Sequence, residues 1–334
     1  MSASAAEGRR GRTGRVRRGL CAAAAALPLC AAIAEALAAD IDGAAIRAAA
    51  GSVVSVLPVW PGGRMRAGEP EGSGVVIADG YLVLTADHVL GPATSAFVRS
   101  ADGEVRRAEI VGRDAATDLA LLKLAAALPP IAVGDEPEPA DEACAIGNGF
   151  GLGLSIACGR VSAVHRADTG FNRIEDFVQT DAAVNPGMSG GALVDGEGRL
   201  IGLLSAIFTR TSDANIGVNF AVSAALALKV AADLADDGKA RHGRPALRLR
   251  PWPPLGEEGR QGGEIVAVEA GSPEARAGLR PGDVIIEAGG RRVRRPGGYA
   301  AALALHEAGE AFDVLVERDG RPVRIGVDFS AGGN

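Results

Sequence analysis

Ser189 stands in the segment NPGMSGGAL (185–193), where three glycines and a proline surround a single hydroxyl. Glycine allows backbone angles that other residues avoid, so such a loop can turn tightly and direct its N–H groups toward one place. A serine hydroxyl is a weak nucleophile unless a base activates it and a third group orients that base. The segment therefore predicts either an ordinary surface turn or a nucleophile loop, and a nucleophile loop requires partners elsewhere in the chain.

His88 and Asp118 are the candidate partners of this serine. His88 follows the apolar run LVLTA (82–86) after one residue, and Asp118 directly precedes the apolar run LALLKL (119–124). Taken singly, such a histidine is ordinarily structural and such an aspartate is ordinarily a turn residue. Together the three residues occur in the order His, Asp, Ser, each at the edge of a β-run, which is the order of the chymotrypsin-like catalytic triad.

The composition indicates a folded chain of about two domains. The chain has 334 residues, of which 47% are hydrophobic and 23% charged, so a packed core is expected and global disorder is not. The 47 glycines and the low aromatic content of 4% are typical of short Val- and Leu-rich strands joined by turns. The net charge of −6 gives no reason to expect nucleic acid as a partner.

The N-terminal 38 residues have the pattern of a secretory signal. A basic run, EGRRGRTGRVRR (7–18), precedes an apolar run that ends in the small residues ALA (36–38). The apolar run is rich in alanine and contains Pro28 and Glu35, so cleavage after Ala38 is favoured over retention as a membrane anchor. The alternative is a disordered basic tail followed by a core helix. The signal predicts export to the periplasm or cell envelope.

Two cysteines, Cys144 and Cys158, remain after the signal, in a chain expected in an oxidising compartment. They lie at equal distances in sequence from Gly151, in the turn GNGFGLG (147–153). In a hairpin centred on Gly151 they would face each other. The sequence leaves open whether they form a disulfide or remain two buried free thiols.

Short apolar runs between 52 and 222 predict a mainly β domain, a sandwich or a barrel, assigned to residues 39–240. The predicted strands include SVVSVLPV (52–59), GVVIA (74–78), YLVLTA (81–86), ALLKL (120–124), SIACGRVSAV (155–164) and LIGLLSAIF (200–208). A helix is predicted over 221–240, where apolar residues recur with helical period.

A second, α+β domain is predicted over residues 245–331. Its expected elements are strands in 264–270 and 283–290, a short helix in 271–279 capped by Ser272, a longer helix over 299–308, and a hairpin over 312–329 with Asp319-Gly320 at its tip.

The motifs TADHVL, TDLALLKL, AIGNGFGLG, TDAAVNPGMSGGAL and NIGVNFAV occur in this chain in the order found in the HtrA (DegP/DegQ-like) serine proteases. The stretch GSPEARAGLRPGDVIIEAGG resembles the PDZ domain that follows the protease in that family. The resemblance covers about residues 45–330. It implies two six-stranded β-barrels of the chymotrypsin-like fold, with the active site between them, followed by one PDZ domain.

The resemblance also implies roles for individual residues. Ser189 would be the nucleophile, His88 the general base, and Asp118 the group that orients His88. The backbone N–H groups of Gly187 and Ser189 would form the oxyanion hole. No metal or organic cofactor is required by this chemistry, and the sequence shows no cluster of metal-ligating residues.

Three positions depart from the family pattern. Met188 and Ala86 stand where the family has asparagine, and Ala192 stands where it has proline. None of these changes removes a catalytic atom. Because position 188 is expected to contribute mainly backbone, Met188 is expected to act only through the geometry of the loop near the oxyanion hole.

The residues after the nucleophile strand are the candidate wall of the specificity pocket. They are Ser205, Ala206 and Ile207, with NIGVNFAV (215–222) on the far side. These walls contain no carboxylate, so the pocket is expected to accept small aliphatic side chains such as Val, Ala or Leu. The alternative is that the same residues serve only as core strand residues.

Regulation is expected from the PDZ domain and a polar loop. PDZ domains bind C-terminal peptides by adding a strand, and the candidate peptide-binding residues here are Leu247, Arg248 and Leu249. Arg248 replaces the small residue of the family, where it would either favour a carboxylate or crowd the site. Arg166 and Arg173, in the loop 165–176, are the candidates to relay contact from the PDZ domain.

The resemblance implies a serine endopeptidase of the cell envelope that cleaves unfolded or misfolded proteins and assembles as a homotrimer. Expected partners are unfolded protein substrates and C-terminal peptides. Two alternatives from other classes are a non-proteolytic chaperone and a scaffold that acts through its PDZ domain. The intact His, Asp and Ser set argues against either as the sole role.

Overall fold

The computed structural model describes residues 41–61, 72–207, 216–306, 310 and 312–330. The predicted signal, residues 1–38, lies outside this part of the chain, as does most of the loop 208–217. The side chains of Ala206 and Ile207 are also outside it. Within the described ranges, no helix combines the length and the apolar character needed to cross a bilayer.

The first β-barrel contains six antiparallel strands that close in the order β1-β2-β3-β6-β5-β4. The strands are β1 (Val53–Val59), β2 (Gly72–Ile77), β3 (Leu82–Ala86), β4 (Ser95–Arg99), β5 (Val105–Asp114) and β6 (Leu119–Leu124), with a short N-terminal helix α1 (Gly43–Ala50) and a one-turn helix α2 (Asp87–Leu90) after β3. Alternate side chains such as Val83 and Leu122 fill the barrel interior. Their neighbours Leu84 and Leu121 belong to a different core cluster, shared with the second barrel. Two buried faces explain why these strands read as continuous apolar runs.

The second barrel closes in the order β10-β11-β12-β9-β8-β7. Its strands are β7 (Glu142–Gly147), β8 (Ser155–Arg166), β9 (Phe177–Thr180), β10 (Ala192–Val194), β11 (Leu200–Ile207) and β12 (Asn219–Ser223). Ala143, Ala145 and Leu193 are among the residues of its interior, while Ile146 and Leu203 pack into the shared core. The two closed barrels confirm the expected double-barrel architecture.

Helix α3 (Ala224–Asp237) begins three residues later than the sequence pattern predicts, because 221–223 complete strand β12. The Ser223 side chain caps the helix by accepting from the Leu226 N–H, and Gly238 ends it in the left-handed conformation with φ 77°. Buried residues that include Leu226, Val230 and Leu234 place the helix in the shared core.

The C-terminal region has the predicted α+β composition. Its elements are β13 (Leu247–Trp252), β14 (Gly262–Val268), α4 (Pro273–Arg276), β15 (Val284–Ala288), β16 (Arg291–Arg292), α5 (Gly297–Leu305), β17 (Phe312–Arg318) and β18 (Arg321–Val327). The sheet has the order β13-β14-β15-β17-β18, with β16 paired to β15. Asp319 and Gly320 both have positive φ at the hairpin tip, as a two-residue type I′ turn requires. The limits 39–240 and 245–331 stay predictions.

Cys144 and Cys158 form a disulfide across the β7–β8 hairpin. Their Cα atoms are partners in the strand register and lie 4.0 Å apart. Cys144 is buried and Cys158 is exposed, so the alternative of two buried free thiols is wrong. The bond ties the strand that pairs with β10, directly after the nucleophile loop, to its hairpin partner.

Replacing both cysteines by alanine is expected to lower the free energy of unfolding by about 3 kcal/mol, the chain-entropy value for closing a loop of this length. Urea unfolding without reductant measures the difference between wild type and Cys144→Ala/Cys158→Ala. Adding reductant should shift the wild type toward the variant and leave the variant unchanged. Equal unfolding midpoints for the two oxidised proteins would contradict the structural role of the bond.

Candidate active site

The pairing of strands β3 and β6 brings His88 and Asp118 together. Ala86 and Leu119 are register partners in these strands, so the residue after β3 and the residue before β6 meet at one barrel edge. Nδ1 of His88 lies 2.7 Å from Oδ2 of Asp118, and the His88 backbone N–H donates to Oδ1 at 2.9 Å. Two bonds to one carboxylate fix both the position and the orientation of the imidazole.

The backbone of Asp118 supports this geometry. Asp118 has φ 60°, a left-handed conformation that is uncommon for residues other than glycine. Its carbonyl accepts from the Asp87 N–H at 3.0 Å, so the turn at Asp118 is bound to the start of α2. The Ser205 hydroxyl donates to Oδ2 at 3.1 Å. The carboxylate therefore accepts hydrogen bonds from both barrels.

Arg113 holds α2 from the neighbouring strand β5. Its guanidinium contacts the Asp87 carboxylate, the Asp87 carbonyl and, at 2.8 Å, the Gly91 carbonyl. These contacts fix the helical turn that carries His88. No local pattern in the sequence marks Arg113, because the register shift between Ile110 and Gly112 that precedes it in β5 has no local signal.

Burial lowers the pKa of His88, whereas the hydrogen bond and charge of Asp118, with the charge of Asp87, raise it. The raising effects prevail, and the pKa of His88 lies above its ordinary value of 6.5. The side chain is 51% exposed, so its ring is accessible to solvent. A raised pKa makes the imidazole a stronger proton acceptor.

Ser189 lies at the tip of the loop before β10, between glycines with positive φ at 187 (94°) and 190 (83°). Its hydroxyl donates to the Ser205 carbonyl at 3.3 Å, and among the described residues no hydrogen bond joins it to His88. A Cβ on Gly190 would lie 2.1 Å from the Ser73 carbonyl oxygen, so position 190 admits only glycine. Both glycines after Ser189 lie against the backbone of neighbouring strands, which leaves no space for a side chain.

The backbone N–H groups of Gly187 and Ser189 donate to no atom within the described ranges. Each belongs to a peptide plane whose carbonyl is bound: the Pro186 carbonyl accepts from the Phe150 N–H at 2.7 Å, and the Met188 carbonyl accepts from the Gly191 N–H at 2.9 Å. Because a trans peptide directs its N–H opposite to its carbonyl, these bonds restrain both donor directions. Two such donors on one loop can stabilise an oxyanion.

Met188 contributes more than backbone to this loop. Its side chain is 1% exposed, belongs to the core of the second barrel, and accepts from the Asn185 N–H through Sδ at 3.4 Å. The side chain also packs beside Gly147 and Gly149. The loop therefore rests on an apolar anchor at the position where the family has asparagine.

The three candidate pocket residues lie on β11, where Ala206 and Ile207 are register partners of Phe220 and Asn219. Ser205 is buried, and its hydroxyl and carbonyl bind Asp118 and Ser189. Ser205 therefore binds two residues of the candidate triad, and it also lies on the expected wall of the specificity pocket. The side chains at 206 and 207 lie outside the described residues, so their place in a pocket stays a prediction.

The candidate peptide-binding residues of the C-terminal domain lie on β13, the edge strand of its sheet. Leu247 and Leu249 pack against the domain core, and Arg248 is exposed. The fully buried Glu274 accepts from the Ala246 N–H and from the Tyr299 hydroxyl, which joins the start of β13 to α5.

The loop 165–176 contacts the C-terminal domain through residues other than its arginines. Arg166 donates to Gln179 at 3.0 Å, and Arg173 is exposed. Asp168 accepts from the Gly297 N–H at 2.8 Å, Asp176 accepts from Arg291 at 2.7 Å, and Nδ1 of His165 lies 2.9 Å from the same Arg291 nitrogen. The relay proposed for the two arginines stays a prediction.

Asp176 is the centre of a buried polar cluster between the two domains, with its side chain 1% exposed. Burial raises its pKa, but hydrogen bonds from His165 and Ser223 and the charge of Arg291 prevail and hold the pKa below its ordinary value. Glu136 contacts both His165 and Arg291. His165, which lacks catalytic context in the sequence, thus has a structural place between the domains.

Comparisons with known proteins agree with this architecture. The trypsin-like peptidase domain model matches residues 72–203, and the PDZ domain model matches residues 264–318. The chain is 36% identical over 269 residues to a probable periplasmic serine endoprotease DegP-like of Marinomonas sp.. The aligned residues make up 78% of this chain and 57% of that protein. It is 34% identical over 275 residues to a putative serine protease HhoB of Synechocystis sp., covering 77% of this chain and 65% of that protein.

The chain therefore spans between half and two thirds of the length of these curated relatives. Among solved structures, the HtrA-type protease AlgW with tripeptide aligns with TM-score 0.67 and 34% identity, covering 85% of this chain and 95% of that one. The serine endoprotease from Yersinia pestis aligns with TM-score 0.55 and 32% identity, with the same coverage of both chains.

The imidazole of His88 is expected to titrate above pH 6.5. NMR titration measures this pKa, and the variant His88→Gln identifies the His88 signal among those of the four histidines. Asp118→Asn should bring the pKa down, because burial then acts without the carboxylate that opposes it. Asp313→Asn, on the exposed face of β17, should leave it unchanged. Since the pKa is raised on folding, the stability contributed by this pair is present below pH 6.5 and is lost as pH rises through the folded-state pKa. An unchanged titration in Asp118→Asn would contradict the assigned cause.

Proposed function

The chain belongs to the HtrA-type serine proteases, and from this we propose that it is a serine endopeptidase of the cell envelope. The observation that carries the proposal is the His88–Asp118 pair, joined through Ser205 to Ser189, whose loop has two N–H groups that donate to no atom of the described residues. The same arrangement favours a protease over a non-proteolytic chaperone or a scaffold, because neither of these roles needs an oriented base.

In the proposed reaction, the Ser189 hydroxyl turns from the Ser205 carbonyl toward His88 and attacks the carbonyl carbon of a peptide bond. The hydroxyl proton passes to Nε2 of His88, and Asp118 stabilises the resulting imidazolium. The N–H groups of Gly187 and Ser189 bind the oxyanion. His88 then protonates the leaving amine, and water releases the acyl group by the same steps in turn.

The proposed substrates are unfolded or misfolded envelope proteins, cleaved after small aliphatic residues. The apolar sequence of β11 beside Ser189 supports this specificity. The N-terminal signal pattern supports export, as does the word periplasmic in the names of relatives. We also propose that the signal is cleaved and does not remain as a membrane anchor, and that the protein assembles as a homotrimer.

The proposed role of the PDZ domain is to bind apolar C-terminal peptides at β13 and to regulate the protease through the loop 165–176. The loop lies between the two sites. Asp168 contacts the N-terminus of α5, while Asn172 donates to the Thr117 carbonyl, next to Asp118, at 3.0 Å. Binding at β13, whose start is joined to α5 through Glu274, can therefore act on the segment that orients His88.

Ser189→Ala is expected to abolish cleavage of unfolded casein, since loss of a triad nucleophile lowers turnover by about 10⁶-fold. Thermal unfolding of Ser189→Ala serves as the control that the fold is kept. Casein digestion by Ser189→Ala at the wild-type rate would refute Ser189 as the nucleophile.

The cleavage specificity is tested on the products of the wild-type protein. Mass spectrometry of these products should place most cleavage sites after Val, Ala or Leu. A cleavage map dominated by Arg and Lys would refute the proposed specificity.

Peptides with apolar C-termini are expected to raise hydrolysis of a small reporter peptide by wild type about five- to 150-fold, the usual range of allosteric coupling. Asp168→Ala removes the carboxylate that joins the loop to α5, so its activation ratio should be smaller. Asp313→Ala, an exposed carboxylate of the same domain, is the matched control. A chain ending at Gly243 should show no activation; equal activation of that chain would exclude the PDZ domain as the sensor.

A further inference from the structure

We propose that Ser73, at the start of β2, is a positioning residue for the proposed protease: its hydroxyl fixes the Gly187 carbonyl and thereby keeps the N–H donors of Gly187 and Ser189 aligned. The proposal rests on the proposed function. Ser73 belongs to the first barrel, and the loop that it holds belongs to the second. Nothing in the segment EGSG (71–74) by itself points to such a role.

Ser73 is fully buried, and all of its polar atoms are used. Its hydroxyl donates to the Gly187 carbonyl at 2.8 Å and accepts from the Asn148 N–H at 2.8 Å. Its backbone N–H donates to the Ser189 carbonyl at 2.9 Å, and its carbonyl accepts from the Thr85 hydroxyl. One residue thus binds the nucleophile loop at two carbonyls.

The peptide plane between Gly187 and Met188 lies between the two planes that carry the oxyanion donors. Its carbonyl is bound by Ser73, and its N–H donates to the Asn185 carbonyl at 3.0 Å. Gly187 has φ 94° and no side chain, so its own conformational preference does not hold this plane. The bond from Ser73 supplies the restraint that glycine lacks.

Without the Ser73 hydroxyl, the Gly187 carbonyl is left buried without this partner. A buried unpaired carbonyl is unfavourable, so rotation of the plane to find another partner becomes favoured. Rotation about Gly187 redirects the adjacent donors, whose bonds matter most when the oxyanion forms. The loss should therefore appear in kcat and leave KM nearly unchanged.

The test compares Ser73→Ala, Ser73→Thr and Ser55→Ala. Ser55 is the register partner of Ser73 on β1 and is also buried. Its hydroxyl accepts from Asn148 as well, but from the side-chain amide, at 3.0 Å. Ser55→Ala therefore makes the same chemical change in the same barrel without touching Gly187. Ser73→Thr retains the hydroxyl and is expected to recover activity.

Ser73→Ala is expected to lower kcat roughly tenfold to a hundredfold, which is at most about the effect of deleting one oxyanion donor. Its KM should stay within about twofold of the wild-type value. Affinity for a peptidyl boronate, which places an oxygen at the donors, should fall by a similar factor. Ser55→Ala should match wild type in both. If Ser73→Ala does not fold, Ser73→Cys, which keeps the shape but has a weak donor, should shift both quantities in the same direction.

Amide hydrogen exchange of peptides covering 187–191 provides a readout that needs no protease activity. Exchange there should be faster in Ser73→Ala than in wild type and unchanged in Ser55→Ala. Wild-type kcat and boronate affinity in Ser73→Ala, or equal losses in Ser55→Ala, would overturn the proposal, as would unchanged exchange. If the wild type had no protease activity but amide exchange at 187–191 were still faster in Ser73→Ala, the proposed function alone would be refuted.

Discussion

The strands at the junction of the two barrels bury side chains on both faces, and the position of the candidate active site depends on this constraint. In β3 and β6, alternate residues such as Val83 and Leu122 fill the first barrel, while Leu84 and Leu121 enter the shared core. A slip of one residue would exchange these faces, so the register is strongly specified. Polar residues at the ends of these strands are thereby held at fixed points of the junction.

The polar groups at the junction need partners once they are buried, and their partners come from several parts of the chain. Asp118 accepts from His88 and from Ser205, which lies on the other barrel. The carbonyls of the nucleophile loop are bound by Phe150, Gly191 and the first-barrel residue Ser73. The site is consequently a product of the packing of both barrels, and neither barrel contains it alone.

The loop 165–176 is ordered by a buried carboxylate, although its sequence is polar and typical of a flexible segment. Glu175 accepts from the backbone N–H groups of residues 169–172 and from the Thr169 hydroxyl. The loop also contacts the Asp118 segment through Asn172 and the C-terminal domain through Asp168. These contacts form a continuous connection from α5 to the turn that orients His88.

The apolar runs alone predicted the strands of a sandwich or a barrel and the C-terminal α+β domain, because short apolar runs and glycine-rich turns are local patterns. The double barrel and the roles of His88, Asp118 and Ser189 came from the resemblance of the motifs around these residues to the HtrA family. The sequence left the pairing of Cys144 with Cys158 open. It misplaced the start of α3, because the last residues of β12 share the apolar pattern of the helix.

Tertiary structure decided which groups hold the site and which join the domains. Arg113, Ser205 and Ser73 have no distinguishing local pattern, and they act only because strand register and barrel packing bring them to α2 and the nucleophile loop. The partners in the domain contact, such as Asp176 and Arg291, are more than a hundred residues apart in the chain. Hydrogen bonds and ion pairs between distant segments depend on how the barrels and the C-terminal sheet pack, and periodicity along the chain carries no information about that packing.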